Sequence, residues 1–465
     1  MTVQLHDTMT GAVRELVPLE PGHVRIYSCG PTVYGPAHVG NFRSFIFADL
    51  LVRYLRYRGL RVSWVMNLTD VDDKIIRAAQ AEGVSIATIS DRYTKLFLSD
   101  AATLAMTVPD VLPRATEHIP QMVELIQKLL DGGHAYRTDD GSIFFRISSW
   151  PQYGRLARID AEGMRVGERV ESDEYAKDDV RDFALWKGPK PDEPSWDTSI
   201  GPGRPGWHIE CSAMSMAHLG PSFDIHTGGI DLIFPHHQDE IAQSEAATGQ
   251  TFVAYWLHCA FLQMGGQKMA KSSGNIAGVG ETIARGFSAR ALRLALISAH
   301  YRMALSFGDD SLMAASSAID RLDALLAALS AYRADCPDDA SLPPLLDETR
   351  SAFEAALDDD LNISPALAAV FELIRELNRR IDARTLSTAD AGTAILFIRD
   401  LDRVLAIGPV AEDRLEPELQ KLLDERAAAR AGRDWAASDR LRTVLAERGL
   451  LVEDTRDGQR WRRAE

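Results

Sequence analysis

Cysteine is scarce in this sequence: four residues in 465, at positions 29, 211, 259 and 336. They are too few and too scattered for a disulfide framework, which leaves metal binding, catalysis or core packing as their uses. No apolar run is long enough to span a bilayer, and the opening MTVQLHDTMTGAVRELVPLE lacks a charged-then-apolar leader pattern. The expectation is a cytoplasmic chain with no membrane partner. Positive charge is in deficit, 51 Lys and Arg against 67 Asp and Glu, a net charge of −16. That argues against broad, non-specific nucleic-acid binding but leaves room for a nucleic acid held on a local basic face. Internal repeats and low-complexity tails are also missing.

What remains is an ordinary globular composition, 46% hydrophobic and 25% charged, in a chain too long for one compact core. HVRIYSC (23–29) reads as a buried strand and NFRSFIFADLLVRYLRYRG (41–59) as an amphipathic helix ended by Gly59. RVSWVMNLTD (61–70) reads as a second strand and DVDDKIIRAAQAEG as a second helix. This spacing predicts an α/β fold of βαβ units on a Rossmann-type parallel sheet. The rhythm is lost over about 90–205, read as an insertion, with SIFFRISSWPQYGRLAR as a β-hairpin region and the Pro/Gly-rich 187–206 as a loop without regular structure. It resumes with a helix over 207–220, a strand over 222–229, a helix over 235–249 and a strand over 252–264. Beyond about 275 helix periodicity dominates and predicts an α-helical bundle. The last fifty residues read as two Arg-rich helices, about 416–430 and 434–448, and a hairpin turning on the Asp-Gly of LLVEDTRDGQRWRR. The expected divisions are 1–305, 306–410 and 411–465.

Three stretches carry candidate chemistry. In PAHVGN, Gly40 permits close backbone approach, the following helix N-terminus suits a phosphate, and His38 and Asn41 sit within reach of its oxygens. Alone, such a stretch is more often a structural turn. In GGQKMAKSSGN, Lys268 and Lys271 on a segment hinged by small residues suit closure over a triphosphate, although taken alone a solvated loop with two ordinary lysines is the favoured reading. In HTGGIDLIFPHHQDE, Gly228-Gly229 ends a strand and Asp231 suits ribose hydroxyls. There His236 and Glu240, four apart on an expected helix, share a face and suit a metal pair, or else merely cap the helix.

In this order the motifs resemble the class I aminoacyl-tRNA synthetases, with HVGN in place of HIGH and KMAKS in place of KMSKS. More narrowly CGPTVY…HVGN, NLTDVDDKI, WHIECSAM, GGIDLIFPHH and EIAQSEA resemble the cysteinyl-tRNA synthetases, from about residue 20 to the C-terminus. The resemblance implies a zinc ion held by Cys29, Cys211, His236 and Glu240, one per chain, binding the thiol of L-cysteine. It implies catalysis by His38, Asn41, Lys268 and Lys271, ATP contacts from Gly40, Gly229, Asp231 and Lys271 with Mg2+, and substrate contacts from Thr69, Trp207 and His226. It makes tRNA(Cys) the partner, 1–305 the catalytic domain and 411–465 an anticodon-binding domain, with Trp435 and Trp461 as stacking candidates, and suggests a monomer. Zinc favours soft sulfur, so a thiol is told from a hydroxyl without editing.

Ala270, Gly35, Thr227 and Gln238-Asp239 depart from the usual family pattern, but no ligand or lysine is lost. Cys259 is taken as a core thiol and Cys336 as incidental. Two alternatives stand beside the main reading. The first is a zinc-dependent cysteine:amino-sugar ligase of mycothiol synthesis, disfavoured by the Arg-rich terminal segment. The second is a non-catalytic, synthetase-like RNA-binding protein, disfavoured by the intact motifs.

Overall fold

Two alternations of strand and helix build the centre of the molecule. Strand β1 (His23–Ser28) leads through the helix α1 (Val39–Tyr57) to β2 (Arg61–Met66). The helix α2 (Trp207–Leu219) leads into β3 (Phe223–Gly229), which continues through α3 (Gln238–Thr248) to β4 (Val253–Cys259). The four strands pair in parallel in the order β4-β3-β1-β2. The sheet is buried on both faces: Ile26, Trp64 and Leu257 pack into one core with Phe42, Ile46 and Leu50 of α1. Tyr27, Val65 and Trp256 pack into the other with Ile209 and Met214 of α2 and Ile241 of α3. Runs such as RVSWVM are therefore near-continuously apolar, as strands covered on both sides require.

The strand order places the site. From β1 the chain crosses outward to β2, and from β3 it crosses outward the other way to β4. The crossovers diverge between the adjacent strands β1 and β3, leaving a crevice at their carboxyl ends, where open α/β sheets bind ligands.

The computed structural model describes residues 2–158, 181–269, 277–409, 417–455 and 458–463. The chain forms two compact units, Met1–Gly408 and Pro409–Glu465. In the first, the helices Asp309–Ala331, Leu342–Asp358, Ile363–Ala383 and Thr388–Leu405 form the expected bundle, and their core is continuous with that of α1. The buried Arg293 ties the two: its guanidinium donates to Asp49 of α1 at 2.6 Å, to the carbonyl of Leu104 at 3.0 Å and to that of Leu405 at 2.7 Å. The second unit holds two helices, Pro417–Ala431 and Trp435–Glu447, and an antiparallel hairpin of Leu450–Thr455 with Gly458–Arg463. Its own small core is Leu419, Leu423, Leu445, Leu450 and Val452.

Several sequence expectations need correction. The strand expected over 252–264 breaks after Cys259, where the Ala260 N–H turns to the Tyr301 carbonyl at 2.8 Å, and Leu262–Met264 joins a separate sheet with Gln267–Lys268 and Leu305–Ser306. The helical backbone expected from 235 is present: after the extended Phe234 (φ −139°, ψ 133°), residues 235–237 form a wide π-type turn that runs directly into α3 at Gln238. In the insertion, Ile143–Phe145 pairs with Ala135–Arg137 and Phe183–Lys187 rather than within 142–158. The Pro/Gly-rich loop ends in a short edge strand, Arg204–Pro205, a place where proline costs no ladder bond. The N-terminal hairpin Gln4–Asp7/Ala12–Glu15 and the helix Leu342–Asp358 had no sequence expectation.

Candidate active site

Cys29 follows β1 directly, and its N–H donates to the Thr227 carbonyl of β3 at 3.1 Å, so the thiol stands at the point where the crossovers part. Cys211 lies on α2, and His236 and Glu240 flank the start of α3. One ligand atom from each of Cys29, Cys211, His236 and Glu240 lies within 4.8 Å of the others. The sulfurs are 3.9 Å apart, Cys29 Sγ lies 3.8 Å from Glu240 Oε1, and His236 Nε2 lies 3.0 Å from the same oxygen. Two sulfurs, an imidazole and a carboxylate suit a soft divalent cation.

The charges within this cluster are set by their burial together. Burial would raise the Glu240 carboxyl, but His226 and His236 outweigh it and hold it at about 2. Burial would lower His236, but Cys211 and Glu240 raise it to about 10. The Cys29 thiol is pushed up by burial and by its neighbour Cys211, which itself ionises more readily because Cys29 donates to it.

A second ring of side chains orients these. His236 Nδ1 meets His208 Nδ1 at 2.9 Å, and His208 Nε2 lies 3.4 Å from Asp239, which accepts from the Tyr153 hydroxyl. His226 Nε2 lies 2.9 Å from Glu240 Oε2. His237 Nε2 lies 3.3 Å from Cys29 Sγ, so Cys29, His226, His237 and Glu240 form an overlapping tetrad. Such outer partners fix the tautomer and direction of ligand side chains.

Beside the cluster opens a cleft of about 750 Å³, lined among others by Cys29, His38, Gly40, Asn41, Trp207 and Asp231, and also by Gly229 and Cys259. The HVGN turn is the N-terminus of α1. Asn41 N–H donates to His38 Nδ1 at 3.2 Å while His38 N–H donates to Asn41 Oδ1 at 3.1 Å, a reciprocal cap. A Cβ on Gly40 would fall 2.9 Å from His38 Nδ1 and 3.4 Å from the sulfur of Met269, so only glycine leaves the imidazole its place. Met269, first residue of the lysine loop after Lys268, is itself buried, its N–H held by the Leu262 carbonyl at 2.9 Å. The loop is launched by Gly265 and Gly266, whose φ of +59° and +77° suit a two-residue hairpin turn.

Of the remaining expected site residues, Trp207 stacks on His236 with ring centroids 4.3 Å apart and is 39% exposed, at the cleft wall. Thr69 and His226 stand behind the cleft. The Thr69 hydroxyl accepts from Asn67 at 3.0 Å and its backbone pairs with Pro31 and Val33, while His226 is fully buried against Trp256. Lys271 and Ala270 lie outside the described residues, as do the side chains of Lys268 and Trp461. Trp435 is 56% exposed, with Arg430 over its ring.

Comparison with known proteins decides the family. Residues 15–317 match the model of the tRNA synthetases class I (C) catalytic domain, 352–407 a DALR domain and 412–462 a cysteinyl-tRNA ligase anticodon-binding domain. The chain belongs to the cysteinyl-tRNA synthetase family. A cysteine–tRNA ligase of Solibacter usitatus is 44% identical over 466 residues, covering all of both chains, and one of Koribacter versatilis is 42% identical, also over all of both. Among solved structures, a Mycobacterium tuberculosis methionyl-tRNA synthetase superposes with a TM-score of 0.59 at 18% identity, over 90% of this chain and 96% of that one. A leucyl-tRNA synthetase of Agrobacterium radiobacter K84 gives 0.61 at 14%, over 84% and 85%. These distant likenesses share the fold with the cysteinyl family.

The residues that sequence reading missed are His208, His237, His258 and Tyr153; His208 lies inside WHIECSAM and His237 is the second His of GGIDLIFPHH, whereas His258 and Tyr153 lie in none of the motifs quoted.

Proposed function

We propose that this chain activates L-cysteine with ATP to cysteinyl-adenylate and transfers the cysteinyl group to the 3′ end of tRNA(Cys). The observation that carries the reading is the meeting of Cys29, Cys211, His236 and Glu240 at the sheet's switch point, beside the cleft that the HVGN turn lines. In the first step the cysteine carboxylate attacks the α-phosphorus and pyrophosphate leaves with the electrons of the broken P–O bond. In the second, the terminal ribose hydroxyl of the tRNA attacks the acyl carbonyl, and AMP leaves.

Phosphoryl chemistry of this kind is mostly positioning and charge stabilisation. His38 Nδ1 accepts from the Asn41 N–H, so the neutral ring carries its proton on Nε2, from which it donates to a phosphate oxygen. The Asn41 side-chain oxygen is taken by His38 N–H, which turns its amide donors to the same ligand. Gly229 and Asp231 take the ribose, and Lys268 and Lys271 meet the charge that builds on the leaving pyrophosphate, with Mg2+ accompanying ATP. Cys29, Cys211, His236 and Glu240 would hold a zinc ion, which when bound offers a soft position that favours a thiol over a hydroxyl. Trp207, stacked on His236, keeps that imidazole in place. The second unit, with its Arg-rich helices, serves the tRNA, and the chain acts as a monomer.

The test is cysteine-dependent exchange of labelled pyrophosphate into ATP, followed by charging of tRNA with labelled cysteine. Both are expected. Exchange without charged tRNA would favour an amino-sugar acceptor, and absence of exchange would contradict the reading.

A further inference from the structure

The N-terminal hairpin, which the reaction does not use, reaches the metal-ligand cluster through an unbroken line of polar contacts. Its turn is fastened to β4 at one residue: Thr8 N–H donates to the Trp256 carbonyl at 2.8 Å, and Asp7 Oδ1 accepts from the Trp256 N–H at 3.1 Å. Trp256 and His258 are two apart on β4 and so point to the same face of the sheet. The Thr8 hydroxyl thereby meets His258 Nδ1 at 2.7 Å. His258 Nε2 meets His237 Nδ1 at 2.7 Å, and His237 Nε2 meets Cys29 Sγ at 3.3 Å. His237, His258 and Cys29 are all buried, and the line joins segments 250 residues apart.

The chemistry gives this line a direction. A ligand thiolate only accepts, and a neutral imidazole offers one donor and one acceptor. His237 must then donate from Nε2 and accept at Nδ1. His258 must donate from Nε2 and accept at Nδ1, and the Thr8 hydroxyl is the donor that sets both rings. A side chain without a donor at position 8 leaves His258 Nδ1 with no proton to accept, and the line is free to reverse.

We propose that Thr8 and His258 are positioning residues of the metal centre, holding His237 as the Nε2–H tautomer that donates to the Cys29 sulfur. The inference rests on the reading of Cys29 as a metal ligand. Its place is that of an outer partner, whose loss typically costs about 10–100-fold in metal affinity. Donation to the sulfur lowers the energy of its lone pairs, so weakening it moves sulfur-to-metal charge transfer to lower energy.

The experiment compares the full chain with Thr8→Val, Thr8→Ser and His258→Phe. Zn2+ release to a chromogenic chelator is timed, and the thiolate-to-metal absorption of the Co2+-substituted proteins is recorded. Thr8 is only partly buried, in a turn, and Thr8→Ser keeps the donor, so a folding defect is told apart from loss of the hydrogen bond. The expected result is release faster by about 10-fold or more in Thr8→Val and His258→Phe, with the Co2+ band at lower energy, and wild-type behaviour in Thr8→Ser. Wild-type release and an unmoved band in Thr8→Val and His258→Phe would overturn the proposal. So would a Thr8→Ser variant that behaves like Thr8→Val. A wild-type chain that takes up neither Zn2+ nor Co2+ would overturn the metal reading itself, and the proposal with it.

Discussion

Gly40 shows how much of the site depends on one missing atom. Its place in HVGN could be read from the sequence as a phosphate turn, but not the reason for the glycine, which is the His38 ring standing only 2.9 Å from where a Cβ would be. Gly40→Ala is expected to displace that ring by a fraction of an ångström, break the reciprocal cap with Asn41, and lower cysteine-dependent pyrophosphate exchange by about 10–100-fold. Wild-type exchange in that variant would show that His38 need not stand where the cap holds it. Cys29, Cys211, His236 and Glu240 were legible because each lies inside or beside a long motif whose neighbours mark it. His237, His258 and Thr8 were not, because each gains its meaning from a partner far away in the chain, and no local pattern encodes a contact across 250 residues. Thr69 and His226 illustrate the limit from the other side. The sequence put them near the pocket, and in the fold the Thr69 hydroxyl accepts from Asn67 and His226 Nε2 meets Glu240, contacts that no sequence pattern announces.

Elements were legible where one period ran uninterrupted. The strands and helices of the central sheet obey it, and their boundaries fall within a few residues of expectation. The exception, the strand that ends at Cys259, has a local cause: the Ala260 N–H turns to the Tyr301 carbonyl, a competition for backbone partners that periodicity does not record. The insertion was least legible, because its short strands pair across long gaps. Its sheet is fastened to the helix Asp73–Glu82 by one acidic residue. Asp73 bonds Lys187 at 2.9 Å and the buried Arg204 at 2.5 Å. Burial would raise its carboxyl, but these two cations outweigh it and hold it at about 2, below its ordinary 3.8. A depressed carboxylate contributes stability that is present above its unfolded value and lost as pH falls through its folded one. The contribution is therefore full above about pH 4 and disappears towards pH 2. Asp73→Asn is expected to cost about 1 kcal/mol at pH 7, kept small because the carboxylate is 42% exposed and screened. The difference from wild type in urea unfolding should shrink as pH falls through that window. A difference that stayed constant with pH would contradict the ion-pair account.

At the scale of the whole molecule, the chain divides into two compact units. The unit Met1–Gly408 carries the sheet, the cleft and the Cys29, Cys211, His236 and Glu240 cluster, and Pro409–Glu465 has a separate small core. Deleting 410–465 is expected to leave pyrophosphate exchange near its wild-type rate and to lower tRNA charging by about tenfold or more. Equal loss of both would show that the second unit serves the catalytic one rather than the nucleic acid. The order of the motifs carried the family, whereas the meeting of Cys29 with Cys211, His236 and Glu240 could be seen only in the fold. The most direct measurement is ATP-dependent charging of tRNA with labelled cysteine in a large excess of serine, before and after removal of bound metal by a chelator. The account predicts charging that ignores serine and is lost on metal removal, returning with Zn2+. Competition by serine in the metal-loaded enzyme, or undiminished discrimination after the metal is gone, would contradict it.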